Sequence, residues 1–231
     1  MSTDTIGSSS THASDPIGVG REAVQVCPKA MTACLAEAFE SRYRRHEDPW
    51  DFRTSQYERN RYAVTLAALP RYHYSFAFEP GCSIGELTAL LATRCEQVLA
   101  TDVSPTAVER AKQRCSRFPN VQIECSDIRT ATLGTSPDLI VLSEIAYYFT
   151  VADLQAIAGH LGNILQPGGC LLAVHWLGES ADHILHGDEV HEVLLRALPL
   201  RHEVSVRHQS SLGHSTSGPR PSFRLDRWTR A

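Results

Sequence analysis

The chain has little that would mark a secreted, membrane-spanning or nucleic-acid-binding protein. No apolar stretch approaches the roughly 20 residues that a helix needs to cross a bilayer. The N-terminus has no charged start followed by an apolar segment, so no signal peptide is expected. No basic run stands out, and the formal net charge is −4. We therefore expect neither a membrane nor a nucleic acid among the partners of this protein.

Cysteine is present but gives no sign of a disulfide framework. The seven cysteines are an odd number, they are scattered, and none form a C-x-x-C pair. Cys82, Cys95, Cys115, Cys125 and Cys170 lie inside apolar segments, where a free buried thiol is the ordinary state. This usage is typical of a reducing compartment, so a cytoplasmic protein is expected.

The 231 residues, 42% of them hydrophobic, suffice for one sizeable α/β domain, and the sequence shows no internal repeat. Residues 1–25 are rich in Ser, Thr, Gly and Asp, and they predict a disordered tail. Residues 26–231 then form a single domain that begins with a helical lid over 26–70. Helical periodicity places the two helices of that lid at about 28–45 and 55–69.

One stretch, residues 76–92, organises the rest of the chain. It begins as an apolar run, passes through a small-residue turn and ends in a helical pattern, which predicts a strand, a ligand-binding loop and a helix. Gly81 and Gly85 allow backbone conformations that a side chain would block. The next strand, 98–102, ends in Asp102, about 20 residues past Gly81, where a carboxylate can accept from a ribose diol.

The loop does not carry the nicotinamide fingerprint G-x-G-x-x-G/A, because Ser83 and Glu86 occupy its second and third small positions. Its pattern is Glu79-x-Gly81-x-Ser83-x-Gly85. This resembles motif I of class I S-adenosylmethionine-dependent methyltransferases, E/D-x-G-x-G-x-G, with Ser83 in place of the middle glycine. An ordinary strand–turn–helix and a nicotinamide-dependent Rossmann oxidoreductase remain the alternatives.

Later segments fit the same fold. Strands are expected at 121–125, 137–142 and 170–176, and an antiparallel pair at 202–208 and 222–228 closes the sheet. The methyltransferase resemblance thus implies a Rossmann-like, doubly wound α/β fold, with a mostly parallel seven-stranded sheet and a C-terminal antiparallel pair. A Leu-x-Pro-Gly-Gly turn before the fifth strand is a further shared feature.

Three short motifs narrow the resemblance. Asp48-Pro-Trp50, Tyr57-Glu58-Arg59 and Glu144-Ile-Ala-Tyr147-Tyr148 resemble the nodulation protein S family, whose members N-methylate the free amine of a deacetylated chitooligosaccharide. The resemblance implies S-adenosyl-L-methionine as cofactor and an amino-sugar or oligosaccharide acceptor. Methylation of an O or N of another small metabolite is the alternative, as is a non-catalytic binding module, and the oligomeric state is left open.

The resemblance and the positions of strand ends together give a set of candidate site residues. The cofactor is expected to contact Trp50, Arg53, Glu79, Gly81, Ser83, Gly85, Asp102, Val103, Asp127, Ile128 and Ser143. Asp127 would bond the adenine amino group, or else serve only as a turn residue. Tyr147 and Tyr148 are expected at the acceptor, because ligands in open α/β sheets bind at the carboxyl ends of strands.

An amine must lose a proton before it can attack, because an ammonium group has no lone pair. A free amino sugar is already partly neutral near pH 7, so the need for a general base is left open. The candidates are Glu144, His175 and the more distant His191, since imidazole has a suitable intrinsic pKa. A structural strand-end histidine is the alternative for His175. The crowding of His183, His186, Asp188 and His191 allows a metal site, a substrate loop or a solvated connection, and no metal is expected.

Overall fold

The computed structural model describes residues 28–209 and 222–231, with side chains in the first helix described from Leu35 onward. The tail expected over 1–25 lies outside these residues, and so does the polar stretch over 210–221. The elements, in chain order, are α1 (Pro28–Arg45), α2 (Gln56–Ala67), β1 (Tyr74–Pro80), α3 (Glu86–Leu91), β2 (Cys95–Asp102), α4 (Pro105–Cys115), β3 (Val121–Cys125), β4 (Leu139–Ser143), a 3₁₀ turn (Ala146–Tyr148), α5 (Val151–Ile164), β5 (Cys170–Trp176), α6 (Gly187–Ala197), β6 (Arg201–Gln209) and β7 (Ser222–Thr229).

The strands form one seven-stranded sheet in the order β3-β2-β1-β4-β5-β7-β6. The first five strands in the chain run parallel, and β7 lies antiparallel to both β5 and β6. This confirms the expected fold class, including the closing antiparallel pair. The order reverses between β1 and β4, and the crevice at such a point is where open α/β sheets bind ligands.

The apolar core lies on both faces of the sheet. All five residues of β4 are buried. Leu139 and Val141 pack on the face that α2 and α3 cover, whereas Ile140 and Leu142 pack on the face that α5 and α6 cover. Two-sided burial explains why β4 reads as a continuous apolar run without alternation.

The sheet ends at β3 on one side, and this edge corrects the expectation for Cys125. Four of the five cysteines that the sequence placed inside apolar elements are buried, but Cys125 is exposed. Among the described residues its strand pairs only with β2 and buries only Ile123, so the apolar character of the segment does not translate into burial.

The two N-terminal helices begin near the expected positions. Ser55 caps α2 by accepting a hydrogen bond from the Glu58 backbone amide. Glu40 on α1 accepts from the side chains of Ser104 and Thr106 at the start of α4, at 2.6 and 2.7 Å. These bonds hold α1 beside the carboxyl end of β2. A lid over 26–70 stays a prediction.

In the part of the chain that the structure describes, no helix is long and apolar enough to span a bilayer.

Candidate active site

A cleft of about 720 Å³ opens where β1, β2 and β4 end. Glu79, Asp102 and Ser143 reach it from those three strand ends. Most of the residues expected at the cofactor or the acceptor line this cleft, namely Trp50, Glu79, Gly81, Ser83, Asp102, Val103, Asp127, Ile128, Ser143, Glu144, Tyr147 and Tyr148.

The loop after β1 has the backbone that its small residues predict. Gly81, Ser83 and Gly85 all have positive φ angles, of 76°, 52° and 83°. A Cβ on Gly81 would lie 2.2 Å from Cγ2 of Ile145, so no side chain fits there. Ser83 adopts its uncommon conformation while its hydroxyl accepts a 2.6 Å hydrogen bond from Tyr43 of α1. The serine that departs from the glycine pattern thus ties the loop to α1.

Asp102 is prepared to accept further hydrogen bonds. One carboxylate oxygen accepts from the Ser83 amide and the other from the Ser104 amide, both at 2.9 Å. Each oxygen of a carboxylate has a second lone pair, so two hydroxyl donors can still be bound. Burial raises the pKa of Asp102 to about 6, although backbone amides oppose the rise.

Glu79 has one carboxyl oxygen without a hydrogen-bond partner among the described residues. Its side chain is buried, and this oxygen is Oε2. Burial raises the pKa of Glu79 to about 8. A cationic or N–H-bearing ligand group in the cleft would satisfy this oxygen. Together with Asp102, this orphaned atom fits a cofactor that carries an ammonium group and a ribose diol.

Asp127 follows the end of β3. It was expected to bond the adenine amino group, but its carboxylate is already bound by Arg129. Arg129 binds its carboxylate through Nε, at 2.9 Å from Oδ1, and through Nη2, at 2.5 Å from Oδ2. Burial opposes ionisation here, but the hydrogen bonds from Arg129 outweigh it and lower the pKa of Asp127. Ile128 and Val103 line the same end of the cleft. Asp127 can therefore serve an adenine amino group only as an acceptor shared with Arg129.

Glu144 stands at the other end of the cleft, in a left-handed conformation with φ of 60°. Its Oε2 accepts from the Tyr147 hydroxyl and its Oε1 accepts from the Trp176 amide, both at 2.8 Å. A positive φ at a glutamate is strained and marks a position where the surrounding contacts determine the backbone. The carboxylate is thus held at a fixed point on the cleft wall.

A buried guanidinium, missed by the sequence reasoning, organises this half of the cleft. Arg61 of α2 binds Glu58 through Nε at 2.9 Å, donates to the Ser143 hydroxyl at 2.7 Å and lies 3.6 Å from Glu144. Burial raises the pKa of Glu58, and Arg61 partly offsets the rise. Two carboxylates share one cation, so the lining carries a net negative charge. The Tyr57-Glu58-Arg59 motif lies only two residues before Arg61 and was the nearest signal.

Aromatic rings form much of the remaining wall. His183 stacks on Tyr147 with ring centroids 3.7 Å apart and an interplanar angle of 17°. Its Nδ1 is buried without a partner among the described residues. The other lining aromatics are Phe39, Tyr43, Trp50, Phe52, Tyr57, Tyr62, Tyr148, Phe149 and Trp176. His183 belongs to the loop for which a substrate role was one expectation.

Four expected site residues do not reach the cleft. His175 and His191 are fully buried behind it, because they point from β5 and α6 into the core rather than toward the opening. Arg53 is instead paired with Glu47 and Glu86, and of these three residues only Glu86 lines the cleft. Gly85 lies at the start of α3, where a Cβ would sit 3.1 Å from the Ala111 backbone. That glycine allows two helices to approach each other and forms no part of the wall.

The histidine-rich segment is divided among separate contacts. Among the described residues, no group of three or more His, Cys, Asp or Glu side chains could hold a metal. His186 caps α6, Asp188 pairs with Arg207 and Arg224, and His191 is buried. The helix start accounts for the crowding in the sequence.

Comparison with known proteins agrees with this geometry. The family model described as "Nodulation protein S (NodS)" matches residues 37–185. Nodulation protein S from Rhizobium tropici is 32% identical over 128 residues, which are 54% of each chain. The protein of that name from Bradyrhizobium diazoefficiens is 33% identical over 140 residues, 60% of this chain and 65% of the relative. The match thus spans about half to two thirds of the length of these curated relatives.

Solved structures extend the comparison. The crystal structure of the N-methyltransferase NodS from Bradyrhizobium japonicum WM9, in complex with S-adenosyl-L-homocysteine, is 25% identical with a TM-score of 0.70. It covers 84% of this chain and 98% of that one. A Burkholderia thailandensis N1-methyltransferase at 17% identity shares the fold, with a TM-score of 0.69 over 93% of this chain and 98% of its own. Because the family model covers more than half of the sequence, the chain belongs to the nodulation protein S family.

Proposed function

We propose that this protein is an S-adenosylmethionine-dependent methyltransferase that N-methylates the free amine of an amino sugar or a deacetylated chitooligosaccharide. Family membership and a relative solved with S-adenosyl-L-homocysteine support the cofactor. The observation that carries the acceptor class is the pairing of Glu58 and Glu144 around Arg61 in one half of the cleft. An excess of buried negative charge favours a cationic ligand such as an amine.

The residues at the strand ends would hold the cofactor. Asp102 would accept from the two ribose hydroxyls, the orphaned Oε2 of Glu79 from the amino group, and Val103 and Ile128 would pack on the base. When bound, S-adenosylmethionine supplies an electrophilic methyl group on a sulfonium centre. Trp50 also lines this cleft, and aromatic rings favour a nearby cation.

The acceptor half would bind and orient the amine. Glu144 is immobilised by Tyr147 and by the Trp176 amide, so an ammonium that it binds is held at a defined point. Placing a nucleophile close to its target and correctly oriented supplies several kcal/mol of catalysis without any covalent step. Tyr148 and His183 would contact the sugar, through aromatic faces and the free Nδ1 of His183.

A proton must leave the amine before it can attack. Burial raises the pKa of Glu58, which makes this carboxylate a better proton acceptor near neutral pH than an exposed one. Glu144 binds the amine and Glu58 accepts the proton, directly or through water. Arg61 places a cation beside both carboxylates. His175 and His191 have no path to the acceptor, so we assign them no direct proton transfer.

The test is incubation with S-adenosylmethionine and matched acceptors, followed by mass spectrometry. We expect glucosamine or a deacetylated chitooligosaccharide to gain methyl groups, and the N-acetylated counterpart of each to gain none. Glu144→Gln should lower the rate while leaving S-adenosyl-L-homocysteine binding unchanged. A protein that binds this product but methylates only hydroxyl or carboxyl acceptors would overturn the assignment of an amine.

A further inference from the structure

Behind the turn that carries Glu144 lies a chain of three buried polar side chains, His175, His191 and Asp226. All three are fully buried. The Ala146 amide lies 3.2 Å from Nε2 of His175, whose Nδ1 lies 3.2 Å from Nε2 of His191. Nδ1 of His191 lies 2.5 Å from Oδ2 of Asp226. His191 and Asp226 lie beyond residues 37–185, the part that the family model matches.

The three hydrogen bonds that link these side chains to one another and to the Ala146 amide can have only one donor-to-acceptor order. The Ala146 amide can only donate, so Nε2 of His175 must accept, and the proton of a neutral His175 is then on Nδ1. That N–H donates to Nε2 of His191, whose own proton is on Nδ1 and points at Asp226. Burial lowers the pKa of both imidazoles, which keeps them neutral near pH 7. Both tautomers are therefore set by the two ends of the chain.

The far end of the chain is firmly anchored. Asp226 on β7 accepts from Nε of Arg224 at 2.7 Å and lies 2.8 Å from Nε2 of His202. Arg224 also pairs with Asp188 and Glu192 on α6. These charges leave the Asp226 carboxylate ionised, and its pKa is lowered because the bonds from His191 outweigh burial. The chain thus connects β7, α6 and β5 to the turn after β4.

The near end of these hydrogen bonds lies at the acceptor wall. Ala146 opens the 3₁₀ turn whose next residue is Tyr147, and Glu144 just before it has φ of 60°. We propose that His175, His191 and Asp226 are positioning residues that hold the Ala146 amide and so keep Glu144 and Tyr147 in place for the acceptor. The inference deepens the proposed function and rests on it for the identity of the acceptor. Without this support, the strained backbone at Glu144 would lose one of the contacts that determine it.

Two substitutions at one position separate this role from general stability. His175→Asn keeps a donor amide near the place of Nδ1 but cannot reach Ala146. His175→Gln places an amide oxygen near the place of Nε2 and can still accept from Ala146. We expect His175→Asn to lower kcat roughly 10- to 100-fold, by analogy with the loss seen when the hydrogen-bond partner of a metal-ligating side chain is removed. His175→Gln should recover most of that loss, and S-adenosyl-L-homocysteine should bind both variants like the native protein.

Amide hydrogen exchange in the protein without cofactor gives a readout that does not depend on activity. Exchange over residues 144–148 should be faster in His175→Asn and close to native in His175→Gln. Leu161→Ala, which empties part of the core on α5 without removing a hydrogen bond, is the control for lost stability. It should not reproduce the local effect. Nitrogen NMR of the imidazoles should show protons on Nδ1 of both His175 and His191.

The outcomes distinguish this inference from the proposed function. Native-like exchange over 144–148 in His175→Asn would overturn the positioning role, whatever the activity. A proton on Nε2 of His175 would overturn it as well. If the native protein methylates no amine but exchange responds as expected, the proposed function fails and the structural role of the chain stands.

Discussion

The two halves of the cleft are built in different ways. The cofactor half depends on backbone geometry within one short stretch, where Gly81 and Ser83 form the loop and Asp102 follows on the next strand. The acceptor half depends on side chains that α2 and the turn after β4 bring together, with Arg61 and Glu144 distant in sequence. A half built from local backbone can be read from a motif, whereas the pairing of distant side chains such as Arg61 and Glu144 cannot.

The largest effect is expected from removing the cation of the acceptor half. Arg61→Met leaves Glu58 and Glu144 buried without a counter-charge, and loss of one partner from a buried ion pair costs about 3–5 kcal/mol. Burial already raises the pKa of Glu58, and without Arg61 nothing from that residue opposes the rise. The folded state then binds more protons, and the free energy of unfolding falls as pH rises. Chemical denaturation at about pH 5 and about pH 7 measures both effects.

Arg61→Lys is the matched control for this substitution. It keeps a cation but loses the planar fork that binds Glu58 and Ser143 at once, so its loss of stability should be smaller. Both variants should still bind S-adenosyl-L-homocysteine while they are folded, because Asp102 and Glu79 are unchanged. Exposed ion pairs contribute up to about 1 kcal/mol to the free energy of unfolding. If Arg61→Met lowers that free energy by less than this, the acceptor half does not depend on a buried cation.

A smaller loss of stability is expected from a substitution at Gly81, where the loop after β1 contacts Ile145 of the turn after β4. Gly81→Ala places a Cβ 2.2 Å from Cγ2 of Ile145, at a φ of 76°. Overpacking of this kind typically costs about 1–3 kcal/mol, and cofactor binding should weaken because the loop must move. Thermal or chemical denaturation checks the stability, and calorimetry with S-adenosyl-L-homocysteine checks the binding.

Ile145→Ala supplies the matching half of a double-mutant cycle. It removes the atom that Gly81→Ala would meet, so the double variant should be more stable than the sum of the single losses predicts. If the two losses simply add, the positive φ of Gly81, rather than contact with Ile145, explains why Gly81→Ala lowers the stability.

The mildest effect concerns pH and belongs to the cofactor half alone. Burial raises the pKa of Asp102 to about 6. Below that pH the carboxyl becomes protonated and gives up an acceptor, so affinity for S-adenosyl-L-homocysteine should fall by up to about tenfold per pH unit. Calorimetry between about pH 5 and about pH 7 measures it. Asp102→Asn should bind more weakly and without this step, and an identical step in the variant would assign the titration to another group.

Much of the fold was predictable because its signals are local. The apolar run of β4, the Ser55 cap of α2 and the small residues after β1 act within a few positions of each other, and the structure has each in place. The family resemblance is confirmed by the model that matches 37–185. Cys125 shows the limit, since an apolar segment at a sheet edge does not bury every side chain.

The acceptor half shows why other predictions failed. Histidine chemistry suggested His175 and His191 as bases, but both faces of β5 are buried, so the sequence gives no sign of which side chains face a cleft. Arg61 was overlooked because a buried arginine looks like any other arginine in a helix. Its importance depends on Glu58 and Glu144 lying beside it, and Glu144 is far from α2 in the sequence.

The sequence alone determined the succession of strands and helices along the chain and the glycine-dependent loop, because backbone conformation and apolar periodicity are properties of neighbouring residues. The family followed from the resemblance of short motifs. Only the tertiary structure decided which polar groups share the cleft and which lie behind it. A hydrogen bond or ion pair needs contact within a few ångströms, and residues far apart in the chain meet at that distance only after the sheet has formed. The pairing of Arg61 with Glu144 and of His191 with Asp226 depends on that step.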